Sequence, residues 1–351
     1  MYEDTLNRRR KRSAALRVHL GSDCCQNGTE LQTTLLFVRT AGSQKQHSSI
    51  LSGTSMGKAS EIAKRTGSFL NKALVLVLAV FPMVTGAFAQ DSSELIVSQL
   101  GDLPVVISAP HGGNLEIQGV PPREGEGLEA GPAGFRVVRD GGTEELALEV
   151  ARQLAERMKG RPSFVISRVH RRYVDFNRPP EIAVEHAQAR VVYDQYHTAV
   201  ADAIRTLREK HMFGLLIDIH GQGSSAETVY RGTSNGLTMS GLRKQYGEEF
   251  HAGENSLLAL LKKRNWKVHP DPFDGKEQAG FTGGHIVRTY GSHRSDGIDA
   301  IQLELGGNYR KTAVRERIAR EMAEAIAEHI ELVTKAPEKT SDQKPLQLKK
   351  E

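Results

Sequence analysis

Gly214-Leu215-Leu216-Ile217-Asp218-Ile219-His220-Gly221 decides how this chain is read. Its apolar residues have the composition of a strand buried on both faces, as in a parallel sheet covered by helices. Residues two apart on a strand share a face, so Asp218 and His220 point together and break the apolar pattern. Burying such groups is costly unless they are paired or bound to a metal. A carboxylate beside a metal-binding imidazole orients the ring and raises its basicity. The segment therefore predicts a chemical site at the end of a core strand.

Three other segments extend this reading. Ser108-Ala109-Pro110-His111-Gly112-Gly113 places His111 just past the strand-like run Val105–Ser108, at the sheet edge where open α/β folds bind ligands. Pro110 stiffens that approach, and the glycine pair permits a tight turn. Ile301-Gln302-Leu303-Glu304-Leu305 sets Gln302 and Glu304 on one face of an apolar strand. A carboxylate placed there accepts a proton readily, which suits a general base acting on water. In Val174-Asp175-Phe176-Asn177-Arg178-Pro179, together with Arg168, Arg171 and Arg172, planar donors gather around Asp175. Such a cluster is predicted to grip a substrate carboxylate, because arginine forks bind carboxylates bidentately.

Between these segments the periodicity alternates. Further strand-like runs are Phe164–Ser167, Leu215–Ile219, Ile286–Tyr290 and Ala300–Leu305, and helical patterns cover Thr143–Lys159, Gln188–His211, Ser256–Arg264 and Ala313–Val333. Alternation of this kind predicts an α/β domain over residues 93–333, a three-layer α/β/α arrangement around a mainly parallel sheet. Asn114–Phe135 and Gly221–Gly253 read as long loops, which on a rigid sheet usually carry function. The Lys- and Pro-rich residues 334–351 read as a disordered tail.

Residues 1–89 have a different character. From Met56 a basic start leads to the apolar run Ala73–Val84 and to Ala87-Phe88-Ala89 before Gln90. These are the parts of a secretory signal peptide over 56–89, with residues 1–55 a disordered extension or a mis-assigned start. Residues 1–89 hold 12 Lys+Arg against 5 Asp+Glu, so the net charge of +5 becomes 35 basic against 37 acidic residues beyond them. The basic balance thus belongs to the leader and gives no support for a nucleic-acid partner. The expected location is periplasmic or secreted, with membrane contact only through an uncleaved leader.

Cys24 and Cys25 also lie in the leader, so any metal in the domain must be held by histidine and carboxylate. His111 and His220 leave a catalytic zinc at least one ligand short of the usual three. Asp140, at the mouth of the Thr143 helix, is the leading candidate for the third, and its position also suits a helix cap. Glu144, Glu145 and Glu116 are its rivals. His170, His197, His211, His285 and His293 read as ordinary polar positions.

Taken together, Ser108–Gly113, Asp140 with Thr143, Glu145 and Leu146, His170–Pro179, Tyr196-His197, Ile217–Gly221, Gly283–Gly291 and Gln302–Leu305 follow the order seen in the N-formylglutamate amidohydrolases, which the chain resembles from about Val105 to Tyr309. The resemblance implies a mixed, mainly parallel sheet between helices, as in zinc carboxypeptidases and aspartoacylases. It further implies Zn2+ on His111, Asp140 and His220, and Glu304 as base; Asp218 is expected behind the metal site from the strand pattern alone. Asn177 and Arg178, assisted by Arg171, would hold a substrate carboxylate. Asn114 stands where the related zinc peptidases have the glutamate of His-x-x-Glu. The expected activity is hydrolysis of an amide or formamide bond in an N-formylglutamate-like, N-acyl or γ-glutamyl substrate. The rival readings are a non-catalytic binder of acidic ligands and a metallocarboxypeptidase.

Overall fold

Strands β1 (Ile96–Gln99), β2 (Val105–Ala109), β3 (Ser163–Ser167), β4 (Leu215–Gly221), β5 (Thr228–Gly232), β6 (Lys267–His269) and β7 (Asp299–Leu305) form one seven-stranded sheet in the order β1-β3-β2-β4-β7-β5-β6. The structure is a computed structural model that describes residues 92–130 and 134–337. The pairs β3–β2, β2–β4, β4–β7 and β5–β6 are parallel, and β1–β3 and β7–β5 are antiparallel. The sheet is therefore mixed and mainly parallel. Its longer helices are α1 (Thr143–Met158), α2 (Ala187–Lys210), α3 (Ser240–Tyr246), α4 (Leu257–Lys263), α5 (His285–Tyr290) and α6 (Arg315–Lys335).

The period of two assigns each strand residue to a layer. Val105, Ile107, Leu215, Ile217, Ile301 and Leu303 pack with Leu146, Val150 and Leu154 of α1 and Met322, Ile326 and Ile330 of α6. Val106, Leu216 and Ala300 face the other way, onto Val192, Tyr196 and Val200 of α2. Each large side chain buried in this way contributes about 1.5–3 kcal/mol. On the α2 side the apolar series stops partway along the strands. Ser108 stands opposite Asp218, Asp218 opposite Gln302, and His220 opposite Glu304. Polar rows thus cross the middle of the sheet at the C-terminal ends of β2, β4 and β7.

Some expectations need correction. Ile286–Tyr290 forms helix α5, not a strand. Its β-branched residues favour strands only weakly, and side chains take up its first backbone donors: Asn177 Oδ1 accepts from Ile286 N at 2.8 Å and Gln302 Oε1 from Gly284 N at 2.7 Å. Gly221–Gly253 is not all loop, since it contains β5 and α3. The short edge strands β1 and β6 carried too little pattern to be read. Asn114–Phe135 does lack helices and longer strands among its described residues. Helix α6 continues two residues past Val333 to Lys335. The expected extension (1–55), leader (56–89) and all of the tail beyond residue 337 lie outside the described residues.

Candidate active site

His111 and His220 are presented in the same way. His111 Nε2 lies 2.7 Å from Asp175 Oδ1, and its buried Nδ1, which has no hydrogen-bond partner, lies 3.5 Å from Asp140 Oδ2. His220 Nε2 lies 2.9 Å from Asp218 Oδ2, and its Nδ1 lies 3.2 Å from the same Asp140 oxygen. The rings meet edge to face with centroids 4.9 Å apart. A carboxylate can only accept, so each Nε2 donates its hydrogen outward and each Nδ1 faces Asp140. Asn177 Nδ2 is 3.1 Å from His220 Nε2. Both atoms are donors in this arrangement, so that approach is a contact, and the amide donates to Gln302 Oε1 at 3.2 Å.

The ligand atoms of His111, Asp140 and His220 all lie within 4.8 Å of one another, and no other such group occurs among the described residues. Ligands about 2.1 Å from a tetrahedral zinc ion stand about 3.4 Å apart. The 3.5 and 3.2 Å separations from Asp140 Oδ2 match that spacing. Two imidazole nitrogens and a carboxylate are also the right donor chemistry, and the orphaned Nδ1 of His111 lacks only a partner. The residues therefore fit a metal ion.

Electrostatics favour positive charge at the same point. Burial works against a charged Asp140, yet the adjacent imidazoles of His111 and His220 hold its carboxyl well below the ordinary range. Burial likewise opposes a charged His220, but Asp218 and Asp140 raise it well above an ordinary histidine. Asp175, also buried, is held low by Arg171 and His111. The cluster stabilises a cation between the rings, whether that is a proton or a metal ion.

Asp140 is placed by its backbone. Its N–H donates to His111 O at 2.9 Å, its carbonyl accepts from Thr143 Oγ1 at 2.8 Å, and Oδ2 accepts from Gly221 N at 3.0 Å. The cap position of α1 is Gly142, with φ of 89° and no side-chain cap, so the Asp140 carboxylate is not spent on capping. Glu144, Glu145 and Glu116 instead approach Arg168, Arg315 and Arg172 at 3.3, 3.9 and 3.5 Å. They stand apart from the histidine pair.

Glu304 faces the site beside His220 and is 8% exposed. Gln302 Nε2 donates to its Oε1 at 2.7 Å. Burial first, and then the charge of Asp140, push its carboxyl up to about 7, against the pull of His220, Gln302 and Arg171. A buried carboxylate poised near neutrality can take a proton from water and return it. Tyr230 pairs with Glu304 from the neighbouring β5 and stacks on Phe281 at 4.9 Å, which continues the polar row with an aromatic wall. That wall was missed because β5 lay inside an expected loop.

The expected arginine cluster is divided. Arg171 donates to Asp175 Oδ2 at 2.9 Å (Nε) and 2.8 Å (Nη2) and lies 3.8 Å from Asp140 Oδ1. Asn177 spends its amide on Ile286 N and Gln302. Both residues thus brace the site. Arg168 and Arg172 turn outward to Glu144 and Glu116. Arg178 is half-buried, donates to Gly134 O and Asn177 O, and lies near enough to Asp175 and Glu304 for their charges to act on it. The partnership of Asp175 with His111 was also missed, because Asp175 was read as the centre of the arginines.

The family model described as N-formylglutamate amidohydrolase matches residues 181–309, a span that includes His220, Gln302 and Glu304. The solved N-formylglutamate amidohydrolase from Ralstonia eutropha is 15% identical, with 68% of this chain and 98% of that one covered at a TM-score of 0.45. A gene product from Agrobacterium tumefaciens is 18% identical, with 68% and 96% covered at 0.45. The succinylglutamate desuccinylase from Chromobacterium violaceum is 15% identical, with 68% and 66% covered at 0.34. A search of curated protein sequences finds no match. Over residues 181–309 the family match bears out the resemblance drawn from the motifs, and with it the reading of that segment as part of an amide hydrolase.

Proposed function

Taking residues 181–309 as an N-formylglutamate amidohydrolase segment, we propose that the chain is a zinc-dependent amidohydrolase acting on a small substrate with a free carboxylate. His111, Asp140 and His220 would hold the ion. When bound, zinc supplies Lewis acidity toward a carbonyl oxygen and makes water acidic enough to ionise near neutral pH.

The chain's own residues do the rest. Glu304 takes a proton from the attacking water and gives it to the departing amine nitrogen as the carbon–nitrogen bond breaks. Gln302 holds Glu304 Oε1 and so fixes which carboxylate oxygen is left for the proton. Asp175 and Asp218 keep the two imidazoles turned with Nδ1 inward. Arg178 binds the substrate carboxylate, while Arg171, committed to Asp175, adds positive charge from behind.

One observation carries this reading: two imidazoles, each with a carboxylate behind Nε2, converge on a single Asp140 oxygen. The test is metal analysis of the purified chain, with hydrolysis of N-formyl-L-glutamate, N-acyl and γ-glutamyl amino acids measured with and without chelator. The reading expects about one zinc per chain and chelator-sensitive release of a free amine. Full activity in demonstrably metal-free protein would overturn it.

The proposal includes export, supported by the leader-like residues 56–89. The secreted or periplasmic protein should begin near Gln90 by mass spectrometry, and an intact leader on the extracytoplasmic protein would refute cleavage.

A further inference from the structure

Arg310, which follows the helical turn Gly307–Tyr309 after β7, spreads one guanidinium over three backbone carbonyls. Nη1 donates to Gly141 O at 2.5 Å, Nε to Leu305 O at 3.1 Å and Nη2 to Gln222 O at 3.2 Å. Gly141 follows Asp140, Leu305 follows Glu304, and Gln222 lies two residues after His220. The three acceptors therefore belong to the three segments that deliver two ligand atoms and the base.

The surroundings are built to receive this group. A Cβ on Gly221 would stand 2.6 Å from Arg310 Cζ, and one on Gly142 would stand 2.5 Å from Arg310 O. Side chains at either glycine would displace the arginine. The backbone beneath it is anchored as well: Gly306 N donates to Thr228 O at 3.0 Å and Asn308 N to Ala226 O at 2.8 Å. The Tyr309 ring packs 4.7 Å from Trp266, and its hydroxyl donates to Glu227 O at 2.9 Å. A rigid planar fork can serve divergent acceptors from one centre, which the single nitrogen of lysine cannot.

We propose that Arg310 is a positioning residue of the hydrolytic site, fastening the segments behind Asp140, His220 and Glu304 so that ligand atoms and base keep their mutual spacing. The proposal rests on the metal-dependent reading above. It concerns the backbone behind the ligands, so zinc affinity reports on it without any need for a known substrate.

The experiment compares zinc affinity, by competition with a chromogenic chelator, for the full chain, Arg310→Ala, Arg310→Lys and Gly221→Ala. The melting temperature of each zinc-free protein is measured in parallel. Arg310→Ala should bind zinc about 10- to 100-fold more weakly, the range seen when groups that orient metal ligands are removed. Millimolar guanidinium should restore much of that loss, and methylammonium should not. Arg310→Lys and Gly221→Ala should weaken zinc in the same direction, and Arg310→Lys decides the matter if the alanine variant does not fold. Wild-type affinity in both Arg310 variants would overturn the proposal alone. So would a loss that guanidinium leaves unrepaired and that merely tracks a lower zinc-free melting temperature. A wild-type chain that takes up no zinc would overturn the metal-dependent reading, and this proposal with it.

Discussion

The two imidazoles of the site look alike from the front and differ behind. His111 is backed by Asp175, whose charge is met by the Arg171 guanidinium at 2.8 Å. His220 is backed by Asp218, whose other partner is the hydroxyl of Ser108 at 2.7 Å, itself 2.8 Å from Tyr196 Oη. Burial and the charge of Asp218 push the Tyr196 phenol well above its ordinary value, so it stays protonated and donates toward Ser108. One imidazole is oriented through charge compensation, the other through neutral donors. The first arrangement is costly to break, because the buried Arg171 guanidinium is left with only the more distant Asp140, 3.8 Å away, to balance it. The second leaves behind hydroxyls, which lose modest hydrogen bonds, and His220, which unlike a guanidinium can shed its proton. The chemistry stands on the second side, since Glu304 is His220's neighbour in the sheet.

The largest effect should separate turnover from stability. Glu304→Gln is expected to lower hydrolysis by about 10²- to 10⁴-fold, the usual contribution of a general base, while zinc content and melting temperature hold. Unchanged turnover would remove Glu304 from that role. Asp175→Asn should cost about 3–5 kcal/mol in urea unfolding, as breaking a buried ion pair does. Asp218→Asn should cost distinctly less, and equal losses would erase the contrast between the two sides.

A histidine outside the site gives a third test. Burial pushes His329 down to about 4, with its ring against Asn255 O at 3.0 Å. A histidine held below its unfolded value of about 6.5 binds its proton more readily when the chain is unfolded. Its contribution is therefore whole above pH 6.5 and is lost as the pH falls toward 4, amounting to about 3 kcal/mol. His220 has the opposite sign: raised in the folded state, it loses its contribution as the pH rises through its folded value. Replacing His329 with glutamine should flatten the acid limb of a stability–pH curve, and an unchanged slope would count against it. The smallest effect should come from Tyr196→Phe, which removes one neutral hydrogen bond worth about 1 kcal/mol. A loss comparable to that of Asp175→Asn would show that the hydroxyl side is not the weaker one.

These two sides were not equally legible in the sequence. His220, Asp218 and Glu304 announce themselves because strand alternation makes a polar residue in an apolar run conspicuous. The core strands and long helices were readable for the same reason. His111 followed from its place past a strand end. The pairing of Asp175 with His111 joins residues 64 positions apart, and no local period reports such a contact. Helix α5 escaped because its first donors are satisfied by Asn177 and Gln302 from elsewhere in the chain. The three- and four-residue edge strands were too brief to show a period.

Because Asp218, His220, Gln302 and Glu304 all sit on the α2 face, this part of the gene should tolerate point changes far better than changes of length. Deleting or inserting one codon between Leu215 and Asp218 would turn Asp218 and His220 into the hydrocarbon layer under α1 and α6, and push isoleucines out among carboxylates. A lineage can therefore retune this centre by substitution, but it has almost no route to shift its frame along the strand.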